Sequence, residues 1–367
     1  MGTDNMTSNV RQQTGIAEIR KNVLIFCLVV YCVIFLVGTL GNGLVIYVTG
    51  CRMKRTVNSV WFLNLALADF LFTTFLIFSI ISAAQDHQWQ FGLLMCRLNT
   101  FVAVVNMFAS IFLLTAISLD RVLSVWVVVW AQNKRTVCKA QIICTFIWIC
   151  AMICSTPYSI FRETQKSGGV IHCGYTRSMS FEQMRSLGIF RFVVGFFIPF
   201  VVIFVSYVAI SVRARRLQRN RKHRPRRIIF SIILAFFICW LPFHILHFIE
   251  LKARATNDPE LRNVVIIVGP LTLSLGFLNS CLNPILYVFM CDEFQKKLRQ
   301  SICFVLENAL AEDHLSFMSS RSLSSHFSRI TRKSDSTAPP ERKGTATSLD
   351  TESKVVITAE TDTMSTE

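Results

Sequence analysis

Seven apolar stretches, each long enough to cross a lipid bilayer, constrain this chain more than any motif it contains. A hydrocarbon core about 30 Å thick is spanned by ~20 apolar residues in helical form. Backbone groups in lipid can be satisfied only inside a helix or a closed barrel. Runs of that size extend roughly from Val23 to Val48, Asn58 to Ala84, Leu93 to Val127, Lys139 to Phe161, Met184 to Val212, Arg226 to Leu251 and Asn263 to Met290. Only 16% of residues are charged, against roughly 25% in soluble domains. The expected fold is an all-α membrane protein, a seven-transmembrane helix bundle (23–290) behind an extracellular N-terminus (1–22). A short amphipathic eighth helix (291–306) and a disordered Ser/Thr-rich cytoplasmic tail (307–367) are expected to follow. Residues 1–22 are polar and form no cleavable signal, so the first helix itself is expected to direct insertion.

Orientation follows from the basic residues of the short loops. Arg52, Lys54 and Arg55 follow the first span, Lys134, Arg135 and Lys139 the third, and a dense run from Arg213 to Arg227 the fifth. These loops are expected in the cytoplasm, so the formal charge of +16 reflects topology and an anionic inner leaflet rather than nucleic acid. The N-terminus is then outside, where Asn5-Met6-Thr7 reads as a glycosylation site. Of thirteen cysteines most lie within apolar runs, where cysteine behaves as a small hydrophobe. Cys96, opening the third helix, and Cys173, in the outer loop before the fifth, face an oxidising compartment and are expected to form a disulfide across the pocket mouth. Beyond the seventh span, Phe294, Leu298, Ile302 and Val305 recur at helical spacing opposite Lys296, Lys297 and Arg299, as in a helix lying on the inner leaflet. Cys303 there is the palmitoylation candidate. The serines from Ser319 to Ser334 would, once phosphorylated, form a dense anionic strand for a cationic partner.

Polar residues at membrane depth mark function, because lipid makes them costly. Asn42, Asp69, Ser110, Asn279, Ser280 and Asn283 sit on four helices at depths that could converge. A carboxylate among hydroxyl and amide oxygens suits a sodium ion or an ordered water network, and sequence leaves both open. Pro157, Pro199, Pro242 and Pro284 interrupt helices four to seven and can act as hinges. Cys239-Trp240-Leu241-Pro242 places an indole beside one such bend, where a tryptophan could equally be plain core.

In chain order, Gly41-Asn42, Leu65 to Asp69, Cys96 with Cys173, Asp120-Arg121, Trp148, Pro199 with Tyr207, Cys239 to Pro242 and Asn283 to Tyr287 resemble the motifs of rhodopsin-like G-protein-coupled receptors. The resemblance covers about Val23 to Phe304. It implies that Pro199, Ile111 and Phe236 form a packing switch with Trp240, and that Asp120, Arg121, Tyr207 and Tyr287 take part in the rearrangement that admits a G-protein helix. Trp61 to Ala66, Asn106 to Ser110, Trp130 to Val137 and Phe161 to Thr164 resemble the chemoattractant branch, which includes chemerin, formyl-peptide, anaphylatoxin and prostaglandin D receptors. That branch implies inhibitory G proteins, leukocyte chemotaxis and inflammation, with arrestin and receptor kinases acting on the tail.

Ala103 stands where amine receptors resemble one another in having aspartate, and the seventh span has no lysine for a retinal Schiff base. Arg191 and Arg162 instead make the outer half cationic, and a guanidinium fork suits a carboxylate. Arg191, two turns above Pro199, is expected either to be hydrated or to pair with Glu250. The resemblance adds Tyr175 to Arg191 and Arg162 as ligand contacts. Phe243 replaces a common tyrosine, and Trp89, Phe91, Phe190 and Phe192 could supply apolar contact or serve as interfacial anchors. Val104 stands where the formyl-peptide pattern has aspartate, which argues against a formylated-methionine ligand.

Val122 replaces the tyrosine usual after Asp120-Arg121, and Val128 interrupts the pattern in which a proline precedes a short loop helix. Ile77 stands where many members have proline. These departures bear on coupling and leave a non-signalling scavenger on the same fold as the alternative to a signalling receptor for an anionic peptide or lipid ligand. A transporter is disfavoured because no internal repeat is visible. No nucleophile constellation, phosphate loop or metal-ligand spacing suggests an enzyme. Apart from the sodium ion no cofactor is expected.

Overall fold

A computed structural model describes the backbone of residues 2–216 and 224–290, and side chains within 14–129, 133–213 and 233–284. Helix dominates: α1 (Gly2–Tyr47), a π-turn (Val48–Arg52), α2 (Val57–Ala84), α3 (Gly92–Trp126), α4 (Val128–Lys134) and α5 (Val137–Ile160). A hairpin of β1 (Arg162–Ser167) and β2 (Val170–Tyr175) follows, then α6 (Phe181–Phe192), a second π-turn (Val193–Phe197), α7 (Ile198–Arg216), α8 (Arg224–Thr256) and α9 (Pro259–Met290). Seven helices among the described residues are long and apolar enough to cross a membrane, with α6, its π-turn and α7 forming one of them.

Local chemistry explains where the helices start. Thr56 accepts from the Ser59 backbone N–H at 3.1 Å while its own N–H donates to Ser59 Oγ at 2.8 Å. Such a cap is worth about 1 kcal/mol. Ser180 and Gln183 repeat the arrangement at α6, and Thr136 accepts from the Lys139 N–H at α5. Along α1, Phe26, Val29, Val33, Leu36 and Leu40 form an exposed stripe at helical spacing, opposite buried Cys27, Ile34 and Asn42. The outward stripe is apolar because its solvent is lipid. α3 is the axis: 61% of its most apolar window is buried, against 17% for the first span. Its Phe108, Ile111 and Leu114 share one buried cluster with Tyr158, Phe196, Ile203, Phe236 and Trp240.

Several boundaries differ from the sequence reading. α1 includes residues 2–22, where no proline stops it. The apolar run at Trp126 to Trp130 is divided at Val127, whose backbone (φ −119°, ψ 68°) ends α3 and starts α4, so the loop helix forms without a proline. Pro157, Pro242 and Pro284 lie inside continuous helices, and Pro270 adds another in α9. Pro199 is the second residue of α7, directly after the π-turn. α2 runs unbroken through Ile77. The expected amphipathic helix with Cys303, the tail, and the side chains of Asn5 and Tyr287 lie outside the described residues.

The outer loop is an antiparallel hairpin pairing Arg162 with Tyr175 through Ser167 with Val170. Gly168 and Gly169 turn it with φ of 58° and 86°, a two-residue turn that favours glycine. Cys96 and Cys173 are bonded as expected, with Cα atoms 5.7 Å apart, tying β2 to the first turn of α3. Backbone bonding of the Trp89 N–H to the Ile171 carbonyl at 2.7 Å holds the first outer loop to the same strand. Cys96→Ser and Cys173→Ser should each weaken agonist binding at least ~10-fold, and the double variant should do no worse than either, since one bond is lost in all three. Saturation binding on intact cells, normalised to surface expression, checks this; additive losses would mean that the cysteines act separately.

Candidate functional site

A cavity of about 770 Å³ opens between the hairpin and the outer ends of the helices. Arg191, Arg162, Tyr175, Phe243 and Glu250 all line it, with Trp240 among the residues of its wall. The buried Arg191 guanidinium carbon lies 4.6 Å from the centre of the Phe243 ring and 5.7 Å from that of Tyr158. Its Nε has no hydrogen-bond partner among the described residues. The expected pairing with Glu250 does not occur. Glu250 accepts from Arg254 Nε and Nη2 at 3.1 and 2.9 Å, and its other oxygen lies 3.6 Å from His247 Nδ1. Residues three and four positions away on the same helix therefore satisfy it. Arg162 stacks over the Tyr175 ring at 4.1 Å, and its Nε likewise lacks a partner.

Sequence reasoning missed Tyr158 and His247. The Tyr158 hydroxyl donates to the Leu187 carbonyl at 2.7 Å, anchoring α5 to α6 beside Arg191. The His247 ring fills the space left by a missing side chain at Gly188, where an added Cβ would meet its Nε2. Of Trp89, Phe91, Phe190 and Phe192, read either as pocket contacts or as interfacial anchors, only Trp89 lines the cavity; its indole N–H donates to the Gly92 carbonyl at 2.9 Å. Phe91 packs edge-on against Trp89. Phe192 packs between helices against Phe196, His244 and Phe248, and Phe190 is largely exposed near Phe108. At the rim, burial and then the charges of Arg20 and His172 hold the His87 imidazole below its ordinary range.

Below the cavity, Phe243 meets Trp240 edge-on at 5.7 Å, and Trp240 meets Phe236 at 6.1 Å. Phe236 and Ile111 are fully buried in the cluster that contains Trp240. Deeper still, polar side chains of α1, α2, α3 and α9 come together. Asn283 Nδ2 donates to Asp69 Oδ2 at 2.7 Å, and Asn42 Nδ2 to the Ser280 carbonyl at 2.9 Å. Ser110 Oγ donates to Asn106 Oδ1 at 3.3 Å, and Asn106 Nδ2 to Ser280 Oγ at 2.9 Å. Asn106, one helical turn before Ser110, was legible from that spacing but was not singled out. Three buried oxygens, Asp69 Oδ1, Asn42 Oδ1 and Asn279 Oδ1, have no donor among the described residues. An acceptor-rich donor set of this kind fits a hard cation.

At the end of α3 away from the hairpin, Asp120 is gripped by Arg135, whose Nε and Nη2 reach its two carboxylate oxygens at 2.8 and 2.9 Å. Arg121 and Arg135 both donate to Asn58 Oδ1. Trp126 donates from its indole N–H to the Ala209 carbonyl at 3.2 Å, and Arg213 lies 5.5 Å from its ring.

Residues 41–287 match the model of the 7 transmembrane receptor (rhodopsin family). The chain is 42% identical over 319 residues to chemerin-like receptor 1 of Sus scrofa, covering 82% of this chain and 86% of that one. It is 41% identical over 295 residues to the C3a anaphylatoxin chemotactic receptor of Danio rerio, with 80% of each covered. With prostaglandin D2 receptor 2 of Mus musculus it shares 41% identity over 289 residues, 76% of this chain and 75% of that one.

Gly188→Ala should dislodge the His247 ring and destabilise the ligand-free protein by about 1 to 3 kcal/mol, the usual range for an overfilled core. Thermal unfolding in detergent reads this directly; an unchanged midpoint would show that the ring yields without strain.

Proposed function

Because the chain belongs to the rhodopsin family of seven-transmembrane receptors, and not to any enzyme class, we propose that it is a signalling chemoattractant receptor whose agonist presents an anionic group to Arg191. As a member of that family it is a multi-pass plasma-membrane protein with an extracellular-agonist and G-protein partnership. The relatives are named for chemerin, C3a anaphylatoxin and prostaglandin D2, so kinship alone does not select one ligand.

The observation that carries the reading is the buried guanidinium of Arg191 on the cavity wall, with no acid paired to it among the described residues. A buried cation held only by ring faces is costly, and a carboxylate would satisfy both it and Arg162. A hydrogen bond to a charged group contributes about 1.5 to 3 kcal/mol, whereas moving an equilibrium from 1:99 to 99:1 takes roughly 5.5 kcal/mol of differential affinity. Arg191 alone is therefore insufficient, and Arg162, stacked on Tyr175, is assigned the second contact. Drawing Arg191 toward an anion alters its seat on Phe243, and Phe243 bears on Trp240 and, through it, on Phe236. The shift favours an outward tilt of α8 about Pro242, with Pro199, Ile111, Tyr207 and Tyr287 accommodating it.

Asp69, Asn42, Ser110, Asn279 and Asn283 are proposed to hold a sodium ion in the resting state, supported by the donorless oxygens among them. The N-terminus is read as extracellular because the basic residues gather in the loops expected inside, the effector is read as an inhibitory G protein, and the phosphorylated tail as the ground for receptor kinases and arrestin.

Arg191→Ala should lower the potency of an anionic agonist ~10- to 100-fold while surface expression persists, which corresponds to one charge-assisted contact. Carboxylated lipids and acidic C-terminal peptides, screened by inhibition of cyclic AMP with and without pertussis toxin, check it. An undiminished response in the variant would remove the anion reading, and internalisation without any response would favour the scavenger. Replacing sodium by N-methylglucamine at constant ionic strength should raise agonist affinity in the wild type and leave Asp69→Asn unaffected; equal responses in radioligand binding would remove the ion.

A further inference from the structure

α4 is a helix that needs an external support. It has only seven residues and no side-chain cap at its N-terminus. A helix shorter than ~12 residues is marginal on its own. Its described side chains Val128, Val129, Asn133 and Lys134 are all exposed, as is Val127 before it, so packing through these residues supplies little. Its C-cap residue Arg135, by contrast, is well fastened. That guanidinium makes a bidentate pair with Asp120 of α3 and a third bond, at 2.7 Å, to Asn58 Oδ1 of α2. Asp120 is nearly buried, with 10% of its side chain exposed against 21% for Arg135, so solvent screens the pair poorly. Thr136, the next residue, caps α5, which fixes the chain on the far side of the anchor.

We propose that Arg135 is a positioning residue: its grip on Asp120 fastens α4 to α3 and sets the cytoplasmic mouth, while Arg121 is left on the amide oxygen of Asn58. Asp120 has two candidate cations within its cluster, and it can hold only one of them bidentately. With Arg135 engaged, α4 is fixed and Arg121 is spared its neighbouring carboxylate. With Arg135 removed, α4 loses its anchor and Asp120 becomes available to capture Arg121. The proposal concerns the effector face and does not rest on the ligand assigned above.

Full-length receptor in lipid nanodiscs, without agonist, would be compared as wild type, Arg135→Gln, Arg135→Lys, Asp120→Asn and the double variant Asp120→Asn/Arg135→Gln. By hydrogen exchange, the amides of residues 128–134 should exchange ~10-fold faster in Arg135→Gln, and no faster in the double variant, because one charged pair is lost in both. Arg135→Lys, which keeps the charge but not the fork, should fall between wild type and Arg135→Gln. Unchanged exchange in Arg135→Gln, or additive effects of the two substitutions, overturns the proposal. Should Asp120→Asn fail to fold, the order wild type, lysine, glutamine at position 135 decides alone, and an absence of that order counts against it. Agonist-driven nucleotide exchange on a purified inhibitory G-protein heterotrimer should fall in Arg135→Gln; a rise would show that the pair restrains the mouth instead of positioning it.

Discussion

A polar group shut away from water must find a partner or pay a desolvation penalty of several kcal/mol, and that constraint organises the whole bundle. It makes the spans helical, because backbone donors and acceptors then satisfy one another. It also makes the exceptions informative. Most buried amides and hydroxyls here are bonded to neighbours on the same or adjacent helices, as Asn283 is to Asp69 and Asn106 to Ser280. Among the atoms left over are the Nε groups of Arg162 and Arg191 at the cavity and three oxygens around Asp69 below it; single nitrogens of Trp61, Arg121, Arg213, Trp240, His244 and His247 make up the rest among the described residues. The first set are donors and the second acceptors. Trp240, Phe236 and Ile111 lie in the buried cluster between the two levels.

Much of this was legible in the residues. The spans follow from hydropathy, and the Asp69 cluster from polar residues that lipid would otherwise exclude. The disulfide follows from two cysteines placed by topology on the same side. Partner choice was harder to read. Asp120 and Arg121 are adjacent in sequence, and adjacent residues on a helix point about 100° apart, so the carboxylate turned to Arg135, fifteen positions away. Glu250 is one of two partners expected for Arg191, the other being water, yet Arg254, one turn on along the same helix, has the shorter reach and takes the carboxylate.

The hairpin shows a different limit. Arg162 to Tyr175 alternates too weakly to announce strands, although Gly168-Gly169 is a turn signal. Its order comes from outside, through the disulfide to α3 and the bond from Trp89. Arg162 and Tyr175 are the first pair of the ladder and thus face each other across it, which is why one ring can carry the other's charge. Sequence distance concealed that neighbourhood, since the two residues sit at opposite ends of the loop.

The π-turn between α6 and α7 has an angular consequence. Counting back from Pro199 at 3.6 residues per turn would place Arg191 two regular turns above it, on a face set by the lower helix. The wide turn at Val193–Phe197 inserts extra backbone, and each residue of an α-helix advances the azimuth by about 100°. The upper half of this span is therefore rotated about the axis from the register an unbroken α-helix would give it, and in that offset register Arg191 is buried on the cavity wall instead of facing hydrocarbon.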